Sequence, residues 1–577
     1  MTTLAAKLRL GGYRTHMVGK WDAGMATPEH TPYGRGYDSW YGYYQHANDY
    51  WGKSAALEAI GEVDVCLNHF VDLSETNATY RGGVLDRAQL DAACQNSTAL
   101  HPPCYEEALF RARALRIITE HELNQPLFLV HAFHLVHTPL QVPLSFIQLA
   151  EDSLTRHSPG LTFDDVGRRN YSAMVRYMDG VVGDLVDAVK ARGMWADTLL
   201  VFTADNGGPI YSPGSANNHP LRGGKFSDFE GGVRVNAFVS GGFVPVGHRG
   251  TEYSGVVSIA DWYGVFCELA GVDPTDIASE EANAWLRPRG LPLLAPVDVV
   301  RGLWAAILNS TLPGGTMHNV RPILHVSDNC VIQFPFKLIT GPQEYGTWTG
   351  PLYPNCTQKY LNGTDVPGKP LAGHAIKLFD QAINFSASAT IEDKLTWTHD
   401  CGAGCLFDIE RDPGEHQDLA TTQPAELARL RTELAQLNLA LFRPGRGVMD
   451  VEACYQGVAH AGYYGPFGGG QASLDAFYTN QYNPTRQQRL EDDSFKAEVA
   501  VVGQPAVQAA AVSICRKYFP AAAAKIDLDP CPSNTSEAAA VTIAAAVRQA
   551  IRDAKQSPGA RPREGLLTTS LSRKRDS

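Results

Sequence analysis

Thr198-Leu199-Leu200-Val201-Phe202-Thr203-Ala204-Asp205-Asn206-Gly207-Gly208 is the stretch on which the reading of this chain turns. A short β-branched and aromatic run without charges predicts a buried strand of a parallel sheet, and its abrupt end places Asp205 and Asn206 at the carboxyl end of that strand. In open α/β sheets ligands gather at that end. A carboxylate beside an amide oxygen suits a hard cation such as calcium or magnesium, although Asp-Asn-Gly-Gly is equally good turn chemistry whatever it binds.

The flanks of this strand read as alternating helices and strands. On its amino-terminal side a helix is predicted from Tyr171 to Arg192, where Met174, Met178, Val181, Leu185 and Val189 fall on one apolar face. Before that come a helix from Tyr105 to about Leu123 and the apolar strand Leu127 to Phe133, which runs out at His137-Thr138-Pro139. On the carboxyl side a loop with Arg222-Gly223-Gly224-Lys225 leads to a strand from Val233 to Val239. Such alternation predicts a largely parallel sheet covered by helices. The chain opens with a short helix, Leu4 to Gly12, and a strand, Tyr13 to Asp22, that leads into a polar loop. Residues 23–104, rich in Gly, Tyr, Asn and Asp, read as long surface loops; Cys94 and Cys104 are near enough to close a small loop, with connectivity open.

Past about residue 315 short β-like runs, Cys330 to Phe334, Phe336 to Thr340 and Leu406 to Ile409, are joined by Gly/Pro loops and predict a smaller antiparallel unit. A helix from Pro424 carries Leu427, Leu430, Leu434, Leu437 and Leu441 in one stripe for packing on that sheet. The expected division is therefore a main domain over 1–315, an antiparallel subdomain over 316–470, and a polar then alanine-rich tail over 471–577 with a possible helix near Glu537 to Lys555.

With 577 residues, 44% of them hydrophobic and 19% charged, the chain can bury a large core and has ordinary globular composition. Its net charge of −12 argues against nucleic acid as a partner, while a local group of lysines can still receive a small anion. Eleven cysteines accompany eight Asn-X-Ser/Thr sequons, at Asn77, Asn96, Asn170, Asn309, Asn355, Asn362, Asn384 and Asn534. Together they favour a secretory, disulfide-forming compartment, extracellular or lysosome-like. No run reaches the roughly 18 apolar residues of a membrane span.

Lys20, His137, the Asp205-Asn206 pair and Lys225 all sit at or just beyond expected strand ends. A hard cation, two lysines and a histidine can together hold a tetrahedral oxyanion ester and protonate its leaving oxygen, which suits sulfate or phosphate ester hydrolysis.

The chain resembles the sulfatases, in particular the arylsulfatase B (N-acetylgalactosamine-4-sulfatase) type, on an ordered set of motifs across roughly residues 1–470. These are Gly12-Tyr13-Arg14-Thr15-His16-Met17-Val18-Gly19-Lys20-Trp21, His137-Thr138-Pro139-Leu140-Gln141-Val142-Pro143, Asp205-Asn206-Gly207-Gly208, Leu221 to Lys225, Glu230-Gly231-Gly232-Val233-Arg234 and Leu406 to Pro413. The resemblance implies an alkaline-phosphatase-like mixed sheet flanked by helices, then a small antiparallel domain. By motif position it makes Asp205 and Asn206 calcium ligands, gives Lys20 and Lys225 the sulfate oxygens of a sulfated sugar or aryl sulfate, and makes His137 the proton donor to the departing alcohol. Asp22 stands where the family pattern places a histidine, and a carboxylate there can still accept a proton from a nucleophile's hydroxyl while repelling an anionic substrate. No cysteine stands in the family's Cys-X-Pro-Ser-Arg motif, whose cysteine becomes the formylglycine nucleophile, and the aspartate pair that completes the calcium site is absent too. The expectation is a chain whose amino-terminal part is missing and which hydrolyses nothing by itself; the alternative is a non-catalytic sulfate- or glycan-binding relative. A metal-dependent phosphodiesterase ranks last, since it would need a Thr or Ser nucleophile and a second metal with histidine ligands, and no Asp-X-X-X-His pair reads as completing that site.

Overall fold

The computed structural model describes residues 2–52, 71–77, 100–157, 163, 166–210, 214–289, 294, 300–310, 319–349, 398–439 and 441. All of them belong to one compact unit, Met1–Pro444 with Asp450–Gln471. The expected helix near Glu537 to Lys555, Cys94 of the expected small loop, and the tail lie outside the described residues.

Helix α1 (Leu4–Leu10), started by the Thr3 hydroxyl accepting from the Ala6 amide at 3.2 Å, delivers the chain into β1 (Arg14–Lys20). The main sheet has the order β3 (Ser74–Asn77), β2 (Ser39–Tyr43), β1, β4 (Leu127–Ala132). β1 runs parallel to both neighbours, with Lys20 opposite Tyr43 and Gly19 opposite Ala132, and β3 lies antiparallel on β2. Gly19 is obligatory: at φ +94° it lets the strands close to a distance at which a Cβ would stand 1.9 Å from the Ala132 carbonyl oxygen. Helix α2 (Glu106–Glu120) presents Phe110 and Ala114, four residues apart, to Val18, Tyr41 and Tyr43. Its neighbours α3 (Leu144–His157) and α4 (Val166–Ala191) complete that layer, and Met174, Tyr177 and Val181 of α4 are fully buried.

β2 and β3 correct the reading of residues 23–104 as surface loop. Ser39-Trp40-Tyr41-Gly42-Tyr43 has no alternation because four of its five residues are buried, so an aromatic, glycine-bearing run that looks loop-like is an interior strand.

β5 (Leu200–Thr203) departs from expectation in a more telling way. Among the described residues it pairs only with β6 (Ala237–Ser240), antiparallel, with Thr203 opposite Ala237, and all four of its residues are half-buried where a buried parallel strand was expected. The residues expected to begin the following strand form instead a single helical turn, Glu230–Val233. All six residues of β4 are likewise half-buried. The reason is shared: the free edges of β4 and β5 both border one cavity of about 2020 Å³, and the two strands do not pair.

Three helices follow, α5 (Asp261–Leu269), α6 (Ile277–Leu286) and α7 (Leu303–Ser310); Val265 of α5 and Leu303 of α7 share one buried cluster. None of the three was anticipated, being too short to show a strong period. The second sheet is β7 (Leu324–Ser327), β8 (Cys330–Gln333), β9 (Phe336–Ile339) and β10 (Cys405–Asp408), wholly antiparallel in the order β10-β9-β8-β7. Helix α8 (Pro424–Leu439), with proline at its first position, packs Leu430 and Leu434 against Val331, Leu338 and Leu406. The chain is thus α/β, a mixed sheet flanked by helices and followed by a smaller antiparallel sheet. No helix among the described residues is long and apolar enough to cross a membrane.

Candidate anion and metal site

Lys20 closes β1, and its Nζ lies 3.4 Å from Asp22 Oδ2. Asp22 sits in the loop beyond, at φ 46°, with its side chain half-exposed. His137 lies in the loop that follows β4, and Lys225 in the loop that precedes the Glu230–Val233 turn. All of them, with Asp205 and Asn206, line the cavity that β4 and β5 border.

His137 and Lys225 touch. The His137 Nδ1 lies 2.7 Å from the Thr138 carbonyl oxygen, so Nδ1–H donates there and Nε2 is left as an acceptor; Lys225 Nζ is 3.1 Å from it. Burial lowers the His137 pKa to about 4; the bond to Thr138 works against this, while Lys225, His134 and Lys20 push it down further. His137 is therefore neutral in the free site, the tautomer the hydrogen bonds require. Lys225 is itself lowered, by burial first and then by Lys20, with Asp205 and Asp22 opposing. Lys20, close enough to depress Lys225, makes with it a pocket for an anion, which would relieve that repulsion.

The loop that carries His137 is fixed from behind. Tyr50 donates its hydroxyl to the carbonyls of His134 (2.9 Å) and His137 (3.0 Å), and stacks on the His134 ring with centroids 4.0 Å apart. His134, fully buried, donates Nδ1–H to Glu106 at 2.8 Å and accepts from the Asn48 amide at 3.3 Å.

The turn after β5 is held by backbone packing. Gly207 N–H donates to the Gly232 carbonyl at 2.8 Å, and a Cβ on Gly207 would stand 1.8 Å from the Gly231 oxygen. The glycines of Asp205-Asn206-Gly207-Gly208 and of Glu230-Gly231-Gly232 are thus two halves of one contact. Asn218 joins the Lys225 loop to it, accepting from Gly208 N–H at 3.0 Å and donating to the carbonyls of Gly208 and Gly223 at 2.8 and 3.0 Å. Buried Arg222 anchors the same loop: its guanidinium carbon lies 3.9 Å from the Phe229 ring centroid and 4.2 Å from that of Trp348, and Nε donates to Gly346 at 2.9 Å. Lys337 of β9, fully buried, pairs with Glu230 (2.8 Å) and Glu415 (2.9 Å). The motif Glu230 to Arg234 is therefore structural support for the site, and the run ending at Pro413 leads into the loop that supplies Glu415.

Sequence reasoning missed His46, whose ring lies 6.4 Å from that of His137 and whose pKa is lowered by burial, with Asp22 opposing and Lys20 and Lys225 adding to it. It also missed Asn218. Neither stands in a motif that marks it.

Asp205 and Asn206 offer a hard cation the right kind of donor. Asn206 Nδ2 donates to the Gly207 carbonyl at 2.8 Å, which leaves Oδ1 as the free group. Two such oxygens fall short of the six to eight that calcium takes. Among the described residues the one tight group of metal-type side chains is elsewhere, His399 with Cys401 and Cys405, and those two sulfurs are joined as a disulfide. The donor set fits calcium in kind and not in number.

Residues 1–272 match the sulfatase family model, a stretch that includes Lys20, Asp22, His137, Asp205, Asn206 and Lys225. That stretch is similar to a sulfatase domain. Mouse arylsulfatase J is 27% identical over 451 residues, which cover 76% of this chain and 62% of that relative, so the chain spans less than two thirds of its length. Mouse N-acetylgalactosamine-6-sulfatase is 24% identical, with 78% of this chain and 71% of the relative covered. Among solved structures, PsFucS1 sulfatase from Pseudoalteromonas sp. is 17% identical with a TM-score of 0.48, covering 76% of this chain and 72% of that one. The matched stretch contains Lys20, Asp22, His137, Asp205, Asn206 and Lys225; the second, antiparallel sheet lies beyond its last residue.

Proposed function

We propose that the cavity end marked by Lys20, His137 and Lys225 is the sulfate-binding part of a sulfuric ester hydrolase that acts on a sulfated sugar or aryl sulfate. The observation that carries this reading is the Lys225–His137 contact at 3.1 Å, with Lys20 near enough to depress the same lysine. Lys20 and Lys225 hold sulfuryl oxygens and offset the charge that grows on them. A bound anion draws Lys225 away from His137 Nε2 and raises the affinity of that nitrogen for a proton, so His137 acquires its proton with substrate and passes it to the leaving oxygen. Asp205 and Asn206 would supply two of the ligands of a calcium ion, and such an ion would polarise the sulfuryl group as a Lewis acid. Asp22 keeps Lys20 in place and lowers its net attraction for an anion. The sulfur-attacking group, formylglycine in the family resembled, has no counterpart motif in residues 1–577.

The division at 315, with the antiparallel unit to 470 and a tail beyond, belongs to the same proposal, as does a secretory location. The latter is supported by the Cys401–Cys405 disulfide and by Cys104, also disulfide-bonded. Asp22 favours a second reading, a sulfate- or glycan-binding relative without catalysis. Titration calorimetry with N-acetylgalactosamine 4-sulfate and its unsulfated parent tests the site: the sulfated sugar should bind, and Lys225→Ala should weaken it by about tenfold, the value of one charge-assisted hydrogen bond. Equal affinity for the two sugars would refute it. Fluorogenic aryl sulfate should not be turned over by residues 1–577 alone; turnover abolished by Lys225→Ala would remove the binding-only reading.

A further inference from the structure

Lys225 and Phe226 are the two central residues of a tight turn. Ser227 N–H donates to the Gly224 carbonyl at 3.0 Å, and the buried Ser227 hydroxyl accepts from Gly224 N–H at 3.2 Å and donates to the same carbonyl at 2.9 Å. Phe226 holds the third position of this turn at φ 79°, where glycine is favoured and a bulky aromatic residue is strained. Burial does not account for its presence, since Phe226 is 63% exposed. Its ring centroid lies 5.6 Å from Lys225 Nζ, the ammonium that meets His137, and 6.3 Å from the ring of Tyr345, tilted by 37°. Tyr345 is also left-handed, at φ 53°, and among the described residues these two are the aromatic ones with positive φ. The segments that carry them are sewn together: Gly223 N–H donates to the Thr347 carbonyl at 2.7 Å, Arg222 Nε to Gly346 at 2.9 Å, and Asp228 N–H to Gln343 Oε1 at 2.8 Å.

We propose that Phe226, backed by Tyr345, is a stacking subsite for the sugar ring of a sulfated sugar whose sulfate is held by Lys20 and Lys225. The inference rests on the reading of those lysines as the anion pocket. A sulfate ester held by Lys225 has its sugar only one ester linkage away, within reach of a ring that stands 5.6 Å from the ammonium. Strained backbone persists where the side chain it aims has a task, and here two strained residues aim two aromatic rings at one place beside that ammonium. The face of a benzene ring is negative, and the C–H groups of a pyranose are polarised positive by the oxygens they adjoin. One face of the sugar can therefore lie on Phe226 while the hydroxyls of the other stay in water. An open shelf suits such a two-sided ligand better than a flat aryl group, both of whose faces are apolar and gain from enclosure. Tyr345 lies beyond residue 272, so the segment that directs the shelf is outside the stretch that matches the family.

Titration calorimetry of the full chain at fixed ionic strength, with inorganic sulfate, N-acetylgalactosamine 4-sulfate and phenyl sulfate as ligands, tests the subsite. Phe226→Gly should weaken the sulfated sugar by about three- to tenfold, the value of one aromatic contact, and leave inorganic sulfate unchanged. Tyr345→Ala should act in the same direction, and Phe226→Trp should keep the affinity of the parent chain. Glycine suits the backbone at this position, so the unfolding midpoint of Phe226→Gly should not fall, and its loss of binding then belongs to the ring. Unchanged affinity for the sugar in Phe226→Gly, with inorganic sulfate still bound and weakened by Lys225→Ala, would overturn the subsite and leave the anion pocket standing. An equal loss of sugar and inorganic sulfate would also overturn it, because Phe226 would then act only through Lys225. A greater loss for phenyl sulfate than for the sugar would overturn the sugar as occupant. Failure of the parent chain to bind either inorganic sulfate or the sulfated sugar would overturn the anion pocket and the subsite together.

Discussion

His131 is the residue whose chemistry least fits its place. Both its ring nitrogens are buried without a hydrogen-bond partner, and burial lowers its pKa to about 3. An unpartnered buried polar group costs about 1–3 kcal/mol, so His131→Leu is expected to stabilise the protein by about 1–2 kcal/mol, read from the urea midpoint at pH 7. At His137 the neighbouring ammonium is one of the groups that lower the pKa from 6.5 to about 4. Lys225→Ala should move it upward yet leave it below 6.5, since burial is the larger cause; a fall in an NMR titration would contradict the contact. Lys20, His137 and Asp205 were legible in the sequence because each stands in a local motif. His46 and Asn218 were not, because what brings them to the site is the path of a loop.

At the scale of elements, Lys337 ties the second sheet to the loops beneath the site. Lys337→Met would leave Glu415 buried without its ammonium partner and Glu230 with only Arg234, at 3.7 Å, and is expected to cost about 3–5 kcal/mol. Replacing all three residues with apolar side chains of similar volume should recover most of that loss, measured by the same denaturant titration. The helices with long apolar stripes, α4 and α8, could be read from periodicity. β2 could not, since burial on both faces removes alternation and its aromatics and glycine imitate a loop. β5 was legible as a strand and misleading as to its neighbours: composition reports that a strand suits the interior, and says nothing of whether a partner lies on each side.

For the whole molecule, stability should depend on pH with two limbs. His131 (about 3) and His137 (about 4) are held below 6.5, as in direction are His16, His30, His46, His101 and His134. The unfolded chain therefore binds protons first as pH falls below about 6.5, and stability drops. Glu107 (about 8), Asp72 (about 7) and Glu415 (about 7) are raised, mainly by burial, so their contribution is present at low pH and is lost as pH rises through 7 to 8. Seven histidines outweigh three carboxyls below 6.5, which places the maximum of Tm near that value; a scan from pH 4 to 9 checks it, and a Tm that climbs steadily to pH 9 would contradict it.

The grip of Trp348 and Gly346 on Arg222 has a genetic meaning. These two residues lie far along the chain from the lysine they help to place, outside the matched sulfatase region. A missense change at Trp348, or a premature stop before it, would therefore behave like a lesion of the anion pocket itself. A patient or strain that carries one would show a binding defect with every motif of the first 272 residues intact.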